Sequence, residues 1–399
     1  MPELRFKTVS STIEHLRSQH GNNSAVVGIG PAGEHLMPLA GVFSSYPPGE
    51  PQYFVVRGGM GDIFGSKGLK AISISSKNEF SADVSDKNRF MKASRALNAI
   101  ILNHPVCGKA LPSYGSITLM RMLKDGSSFE ENTENAQATE DNHPVSKANG
   151  QKKINRACST NCPISCLNRQ KTGKASLFNS PFDSEAFAAS KNLFGIDDQE
   201  FVISLNKQCF ELGLDSIEFL FSCAMIFKIF EYHDTIGGLH SLLKEVEGAT
   251  SFGRIIGSTS KGIFQLFADY KELKPMVTKA ATSEESSFLI KLPNRVPGLE
   301  QISDLEYLYA YILGAQNIGM CLFTTFAVLD KPEGLELLAQ MVSTKIGREF
   351  SAFDIINSGY KSLIEERAYD LEGKKAGSLS NIPEFVKVLY RYFGRANNG

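Results

Sequence analysis

Residues 52–75 read Gln52-Tyr-Phe-Val-Val-Arg57-Gly-Gly-Met-Gly-Asp-Ile-Phe-Gly-Ser-Lys67-Gly-Leu-Lys70-Ala-Ile-Ser-Ile-Ser75. Two short apolar runs, 52–57 and 69–75, flank a glycine-rich segment. That is the pattern of two strands joined by a loop whose backbone can approach a ligand closely. An earlier run, Ser24-Ala-Val-Val-Gly-Ile-Gly30, adds a strand that ends in glycine, and Pro47, Pro48 and Pro51 mark the loop that follows it. Arg57, Lys67 and Lys70 place positive charge beside the loop amides, which suits a phosphate. A plain glycine-rich turn with solvated lysines is the alternative. Gly28-Ile-Gly-Pro-Ala-Gly33 superficially resembles a dinucleotide fingerprint, but its third glycine comes too soon and a proline interrupts it.

From Ser85 the pattern turns helical. Residues 86–102 carry apolar side chains at helical spacing. A polar stretch, 125–156, reads as a long surface loop. Asp197-Asp-Gln-Glu200 has capping-box spacing ahead of an apolar helix. Further helices are expected over 215–233, 235–247, 253–270, 303–327, 333–345, 351–369 and 383–394. The fold class is therefore α+β: a small N-terminal β-containing remnant followed by two mostly α-helical domains. The expected boundaries are 1–80 (a truncated, β-rich piece), 81–250 (helical, with the cysteine cluster) and 251–399 (C-terminal helical). So few strands leave open sheet edges, to be covered by helices, a second copy or a partner subunit.

The 399 residues include 42 basic and 43 acidic side chains, a formal net charge of -1. That excludes a strongly basic nucleic-acid surface and a disordered acidic tail. The first residues, MPELRFKTVSS, lack the apolar core of a signal peptide. The most apolar stretch, Ile217–Phe230, contains Glu218 and Lys228 and is too short to span a bilayer. It reads as a buried helix. No membrane and no nucleic-acid partner are expected, and a cytoplasmic location is the default.

Seven cysteines are present, and three cluster in Ala157-Cys-Ser-Thr-Asn-Cys-Pro-Ile-Ser-Cys166. In a chain without a secretory signal, Cys158, Cys162 and Cys166 argue for metal rather than a disulfide framework. Zinc motifs usually pair cysteines two residues apart, which is missing here. A cubane iron–sulfur cluster takes four thiolates, three commonly from a tight local run and one from afar. Cys209 and Cys223 lie in apolar helical runs and look like core residues. Local pattern leaves Cys107, after Pro105-Val106, and Cys321, after Gly319-Met320, as candidates for the fourth ligand. His35, beside a glycine turn, is either a ligand or base or a surface capping residue; His104 and His143 precede prolines and read as structural.

Taken together, these segments resemble the aldehyde:ferredoxin oxidoreductase family of tungsten or molybdenum pterin enzymes. Ile29-Gly-Pro-Ala-Gly-Glu-His35 and residues 57–72 are similar to the family's two glycine signatures. Cys162-Pro-Ile-Ser-Cys166 matches the second half of its CxxCPxxC run. Ser184-Glu-Ala-Phe, Phe194-Gly-Ile-Asp-Asp198 and Leu212-Gly-Leu-Asp-Ser-Ile217 follow in order, and Ile318-Gly-Met-Cys321 resembles the segment that supplies the fourth thiolate. The resemblance implies a [4Fe-4S] cluster held by Cys158, Cys162, Cys166 and Cys321. It further implies a tungsten or molybdenum pterin with Arg57, Gly58 and Gly59 near a pterin phosphate and Asp215 in contact with a pterin. Glu185 would be the acidic catalytic group near the metal, able to shuttle a proton. The implied reaction is oxidation or reduction of a small aldehyde or other carbonyl, with a ferredoxin-like electron carrier as partner.

Several positions depart from the family. The first cysteine gap has one residue more, the tyrosine before the glutamate is Ser184, and the early part of the family's β domain is expected to be absent. These departures keep a second reading open: a pterin-free [4Fe-4S] electron-transfer protein, or a subunit derived from the family. A third is a protein of the same fold with no cluster and another ligand in the cleft.

Overall fold

The computed structural model describes residues 2–45, 53–55, 60–76, 83–114, 162–166, 183–270, 273, 299 and 302–372. The architecture is α+β. The chain forms two compact units, each assembled from two separated segments: 1–80 with 169–283, and 81–168 with 284–399. The sequence reading lays out three consecutive domains and shares only the boundary after residue 80. Local periodicity shows that a helix has an apolar face; it does not show which distant element covers that face.

In the first unit, β1 (Ala25–Ile29), β2 (Val42–Ser44), β3 (Tyr53–Val55) and β4 (Ala71–Ile74) form a sheet in the order β3-β2-β1-β4. All three pairings are antiparallel, with Val27 opposite Ser44 on one side and Ile72 on the other. β2 is too short to show an alternation and is not apparent in the sequence. Nor is the helix Val9–His20, whose start is capped by the Thr8 side chain accepting from the Ser11 N–H. Its Val9, Ile13 and Leu16 bury against Leu4, Val26 and Phe43, closing one face of the sheet. On β4, Ile72 and Ile74 remain exposed.

The same unit continues with helices Asp183–Phe194, Gln199–Leu212, Ser216–Phe230, Thr235–Glu247, Ser251–Ile256 and Thr259–Leu266. Ser216–Phe230 is a core helix, as its composition predicts: Phe219, Leu220, Met225 and Ile226 are fully buried. Helix Gln199–Leu212 starts one residue later than the capping-box spacing suggests. Asp198 is its cap, accepting from the Phe201 N–H at 3.1 Å, while Asp197 pairs with Lys191. The continuous helix expected over 253–270 is two short helices with a break at 257–258.

The second unit is built on helices Lys87–Asn103, Leu111–Tyr114, Asp304–Asn317, Thr325–Asp330, Glu333–Ile346 and Ala352–Glu372, with a π turn at Pro105–Ala110. Its core includes Leu97, Ile101, Val106, Leu308, Ile312, Phe326, Leu335, Leu338, Ile355 and Ile356. The helix expected over 303–327 ends at Asn317. Gly319 has a φ of 90°, a backbone conformation that an L side chain resists, and the chain turns there before Cys321. The expected helix 383–394 lies outside the described residues. Among the described residues, no helix is long and apolar enough to cross a membrane.

Candidate metal centre

Three of the four cysteines expected to bind metal lie in described parts of the second unit, and they come together there. Cys162 and Cys166 flank a turn whose Ile164 is 1% exposed and packs into the unit's core, with both cysteines lying against that core. Ser165 takes a φ of 50°, and its hydroxyl donates to the Cys162 carbonyl at 3.4 Å. Cys321 heads the single 3-10 turn Leu322–Thr324. Its sulfur accepts from the Phe323 N–H at 3.4 Å, and its carbonyl accepts from the Thr324 hydroxyl at 2.6 Å. Cys158 lies outside the described residues.

The three thiols share one electrostatic environment. Burial pushes the pKa of Cys166 up to about 12, and Cys321 and Cys162 add to the rise. Cys321 reaches the surface, yet loss of water around its sulfur raises its pKa too, with Cys162 adding to the effect against the pull of the Phe323 N–H. Clustered thiolates in partly dry surroundings repel one another, so Cys166 and Cys321 hold their protons more tightly. A positive metal centre reverses that preference, because a coordinating thiol is deprotonated. Among the described residues, no three His, Cys, Asp or Glu side chains are placed to hold one metal ion. A cubane spreads its thiolates over separate corners, farther apart than the ligands of a single zinc ion. Thiols are the donors that such a cluster takes.

Cys107, the other candidate for a fourth ligand, is fully buried, and its S–H donates to the Phe323 carbonyl at 3.2 Å. It rests against the turn that carries Cys321. Cys209 and Cys223 are in the core of the first unit, as their apolar surroundings predict.

The glycine signatures form a separate feature of the first unit. Gly30, at the start of the short helix Pro31–Glu34, meets the turn that ends helix Gln199–Leu212. A Cβ on Gly30 would lie 2.6 Å from the Gly213 nitrogen, and one on Gly213 2.7 Å from the Gly30 nitrogen. Helix Met60–Ser66 packs just as closely: a Cβ on Gly61 would lie 2.7 Å from the Ala40 carbonyl carbon, and Gly65 lies against the Gly33 carbonyl. These glycines let backbone meet backbone; their closeness is taken up by packing within the unit.

Lys70, read as part of a phosphate cradle, bonds Glu34 Oε2 at 2.6 Å and the Lys7 carbonyl at 2.9 Å. Glu34 also accepts from the Phe6 N–H at 2.9 Å. Sequence reading passed over Glu34, although it stands inside the first glycine signature. Its carboxylate is the group that neutralises Lys70. His35 caps Pro31–Glu34 and stacks on Phe6 at 4.5 Å. Arg57, Gly58 and Gly59 lie outside the described residues, as does the side chain of Glu185, whose backbone belongs to helix Asp183–Phe194. Asp215 is 2% exposed and caps Ser216–Phe230, with Oδ1 accepting from the Ile217 and Glu218 N–H groups at 3.0 and 3.1 Å.

Two models of one family match the chain. The model for the N-terminal domain of aldehyde ferredoxin oxidoreductase matches residues 1–76, and the model for its domains 2 and 3 matches residues 92–268. The chain is 25% identical to the tungsten-containing aldehyde ferredoxin oxidoreductase of Thermococcus kodakarensis over 92% of its own length and 66% of that protein. It stands in the same relation to the Pyrococcus furiosus protein of that name, again at 25%. The chain thus spans just under two thirds of the length of these relatives. Its fold is also similar to the active-site complex BamBC of benzoyl coenzyme A reductase, with a TM-score of 0.58 at 14% identity, over 99% of this chain and 74% of that one. With matches that follow the order of the motifs from the first strand to the helices of the first unit, the chain belongs to the aldehyde ferredoxin oxidoreductase family.

Proposed function

We propose that the chain is an iron–sulfur oxidoreductase whose [4Fe-4S] cluster is held by Cys158, Cys162, Cys166 and Cys321. The packing of Cys162, Cys166 and the residues on either side of Cys321, Met320 and Leu322, against one core carries this reading. When bound, such a cluster supplies one-electron transfer. The chain's own part is to hold the thiols in position, keep bulk water from Cys162 and Cys166, and leave Cys321 at the surface, where a ferredoxin-like carrier could approach.

The fuller form of the reading adds a tungsten or molybdenum pterin and a small aldehyde or related carbonyl as substrate. It is supported by the family and by the names of the relatives. In that form Arg57, Gly58 and Gly59 would hold a pterin phosphate, Asp215 would contact the pterin, and Glu185 would hold or move a proton near the reacting carbonyl. The second reading, a pterin-free electron-transfer protein or subunit, is favoured by one observation. Lys70 bonds to Glu34, and Gly61 and Gly65 pack against neighbouring backbone, so part of the glycine signature is already occupied within the unit.

Anaerobic purification from a host able to supply both metals and pterin, followed by analysis of iron, sulfide, tungsten and molybdenum, separates these forms. Iron and sulfide at about four each per chain support the cluster. Tungsten or molybdenum with them supports carbonyl chemistry and calls for aldehyde assays; iron alone supports the electron carrier. Cys162→Ser should bleach the visible spectrum, and an unchanged spectrum would overturn the cluster assignment.

A further inference from the structure

The turn Leu322–Thr324 is too short to hold its own shape. Cys321, at its head, is exposed and follows the break at Gly319. What anchors the turn is a second segment 216 positions away in the chain. The π turn Pro105–Ala110 is capped by His104, whose Nδ1 accepts from the Val106 and Cys107 N–H groups at 3.2 and 3.3 Å. His104 is 4% exposed, and its carbonyl accepts from the Gly108 N–H at 2.8 Å. The backbone of Cys107 is thus fixed before its side chain makes any contact.

The sulfur of Cys107 then reaches the turn that carries Cys321. Its S–H donates to the Phe323 carbonyl at 3.2 Å. The thiol therefore ties the π turn to the turn that follows Cys321.

We propose that Cys107 is a positioning residue for Cys321: the thiol, held by the His104-capped π turn, clamps the Phe323 carbonyl and so fixes the direction of the Cys321 sulfur. The proposal rests on the reading of Cys321 as a cluster ligand. Cys107 is not itself a ligand in this arrangement, because a ligating thiolate has no proton to give to a carbonyl. A cysteine that merely filled core volume would be replaceable by any apolar side chain of similar size.

Two variants separate the clamp from the volume. Cys107→Val keeps the bulk and removes the bond to the Phe323 carbonyl. Cys107→Ser keeps a donor and an acceptor. Two readouts apply: alkylation of Cys321 in the apoprotein, followed by peptide mass, and the reduction potential and EPR signature of the anaerobically reconstituted protein. Cys107→Val should speed Cys321 alkylation roughly threefold or more, as expected for a locally loosened turn, and should shift the potential and signature. Cys107→Ser should restore both toward the wild type. If Cys107→Val matches the wild type in both readouts, or Cys107→Ser behaves like Cys107→Val, the clamp is overturned and the cluster reading stands. If the wild type takes up no iron, the cluster reading falls. The alkylation comparison then decides by itself whether Cys107 holds the Cys321 turn.

Discussion

Gly30 and Gly213 touch backbone to backbone, with no room for a side chain on either. A Cβ on Gly213 would lie 2.7 Å from the Gly30 nitrogen, and one on Gly30 would press on the Leu212 carbonyl. Gly213 also ends its helix at a φ of 77°. This contact joins the first glycine signature to the segment that leads into Asp215. It explains why the first signature and the Leu212–Ile217 segment each carry glycine at this contact.

Alanine at these two positions should therefore cost different amounts. Gly30→Ala meets a rigid backbone and should destabilise by about 1–3 kcal/mol. Gly213→Ala adds the left-handed strain and should cost about 1 kcal/mol more. Gly68 has a φ of 65° with open space around it, so Gly68→Ala should show only the smaller, conformational cost. Urea unfolding of the three variants ranks them; equal midpoints would contradict the contact.

Lys70 and Glu34 form a largely buried ion pair, with each side chain 14% exposed. Burial lowers the Lys70 pKa even against the pull of Glu34. Lys70→Met should cost roughly 1–3 kcal/mol, because the carboxylate loses its partner. Glu34→Gln should cost less, since the amide oxygen still accepts from the Phe6 N–H. A double-mutant cycle by urea unfolding should give a clear coupling between the two; additive losses would argue against the pair.

Asp215 caps a buried helix, and the same residue is expected to contact a pterin. The two roles separate by substitution. Asp215→Asn keeps an oxygen for the Ile217 and Glu218 N–H groups and should fold normally. Asp215→Ala should lose about 1–2 kcal/mol. A folded Asp215→Asn that purifies with less pterin than the wild type assigns the ligand role; unchanged pterin content leaves Asp215 as a cap alone.

His104 should make the protein acid-sensitive. Burial lowers its pKa from 6.5 to about 4, against the weaker pull of Asp330. The unfolded chain therefore binds a proton that the folded chain refuses between those values. The His104 contribution to stability is full above about pH 6.5 and is lost as the pH falls toward 4, on the order of 3 kcal/mol in all. Asparagine can accept the same two N–H groups and does not titrate. Thermal melts of His104→Asn from pH 7 to pH 4 should show a shallower decline than the wild type.

The sequence alone determined what depends on near neighbours in the chain. The α+β class, the core helix Ser216–Phe230, the cysteine spacing at 162 and 166 and the ordered family motifs are all local or linear patterns. They survive in the structure because periodicity and turn chemistry act over a few residues. Tertiary structure decided what depends on distant partners. It joined residues 169–283 to the N-terminal sheet, gave Lys70 to Glu34, pressed Gly30 on Gly213, and set Cys321 with Cys162 and Cys166 while Cys107 went to the Phe323 carbonyl. Each of these turns on complementary surfaces from separate segments meeting in space, and spacing along a single chain carries no record of such a meeting.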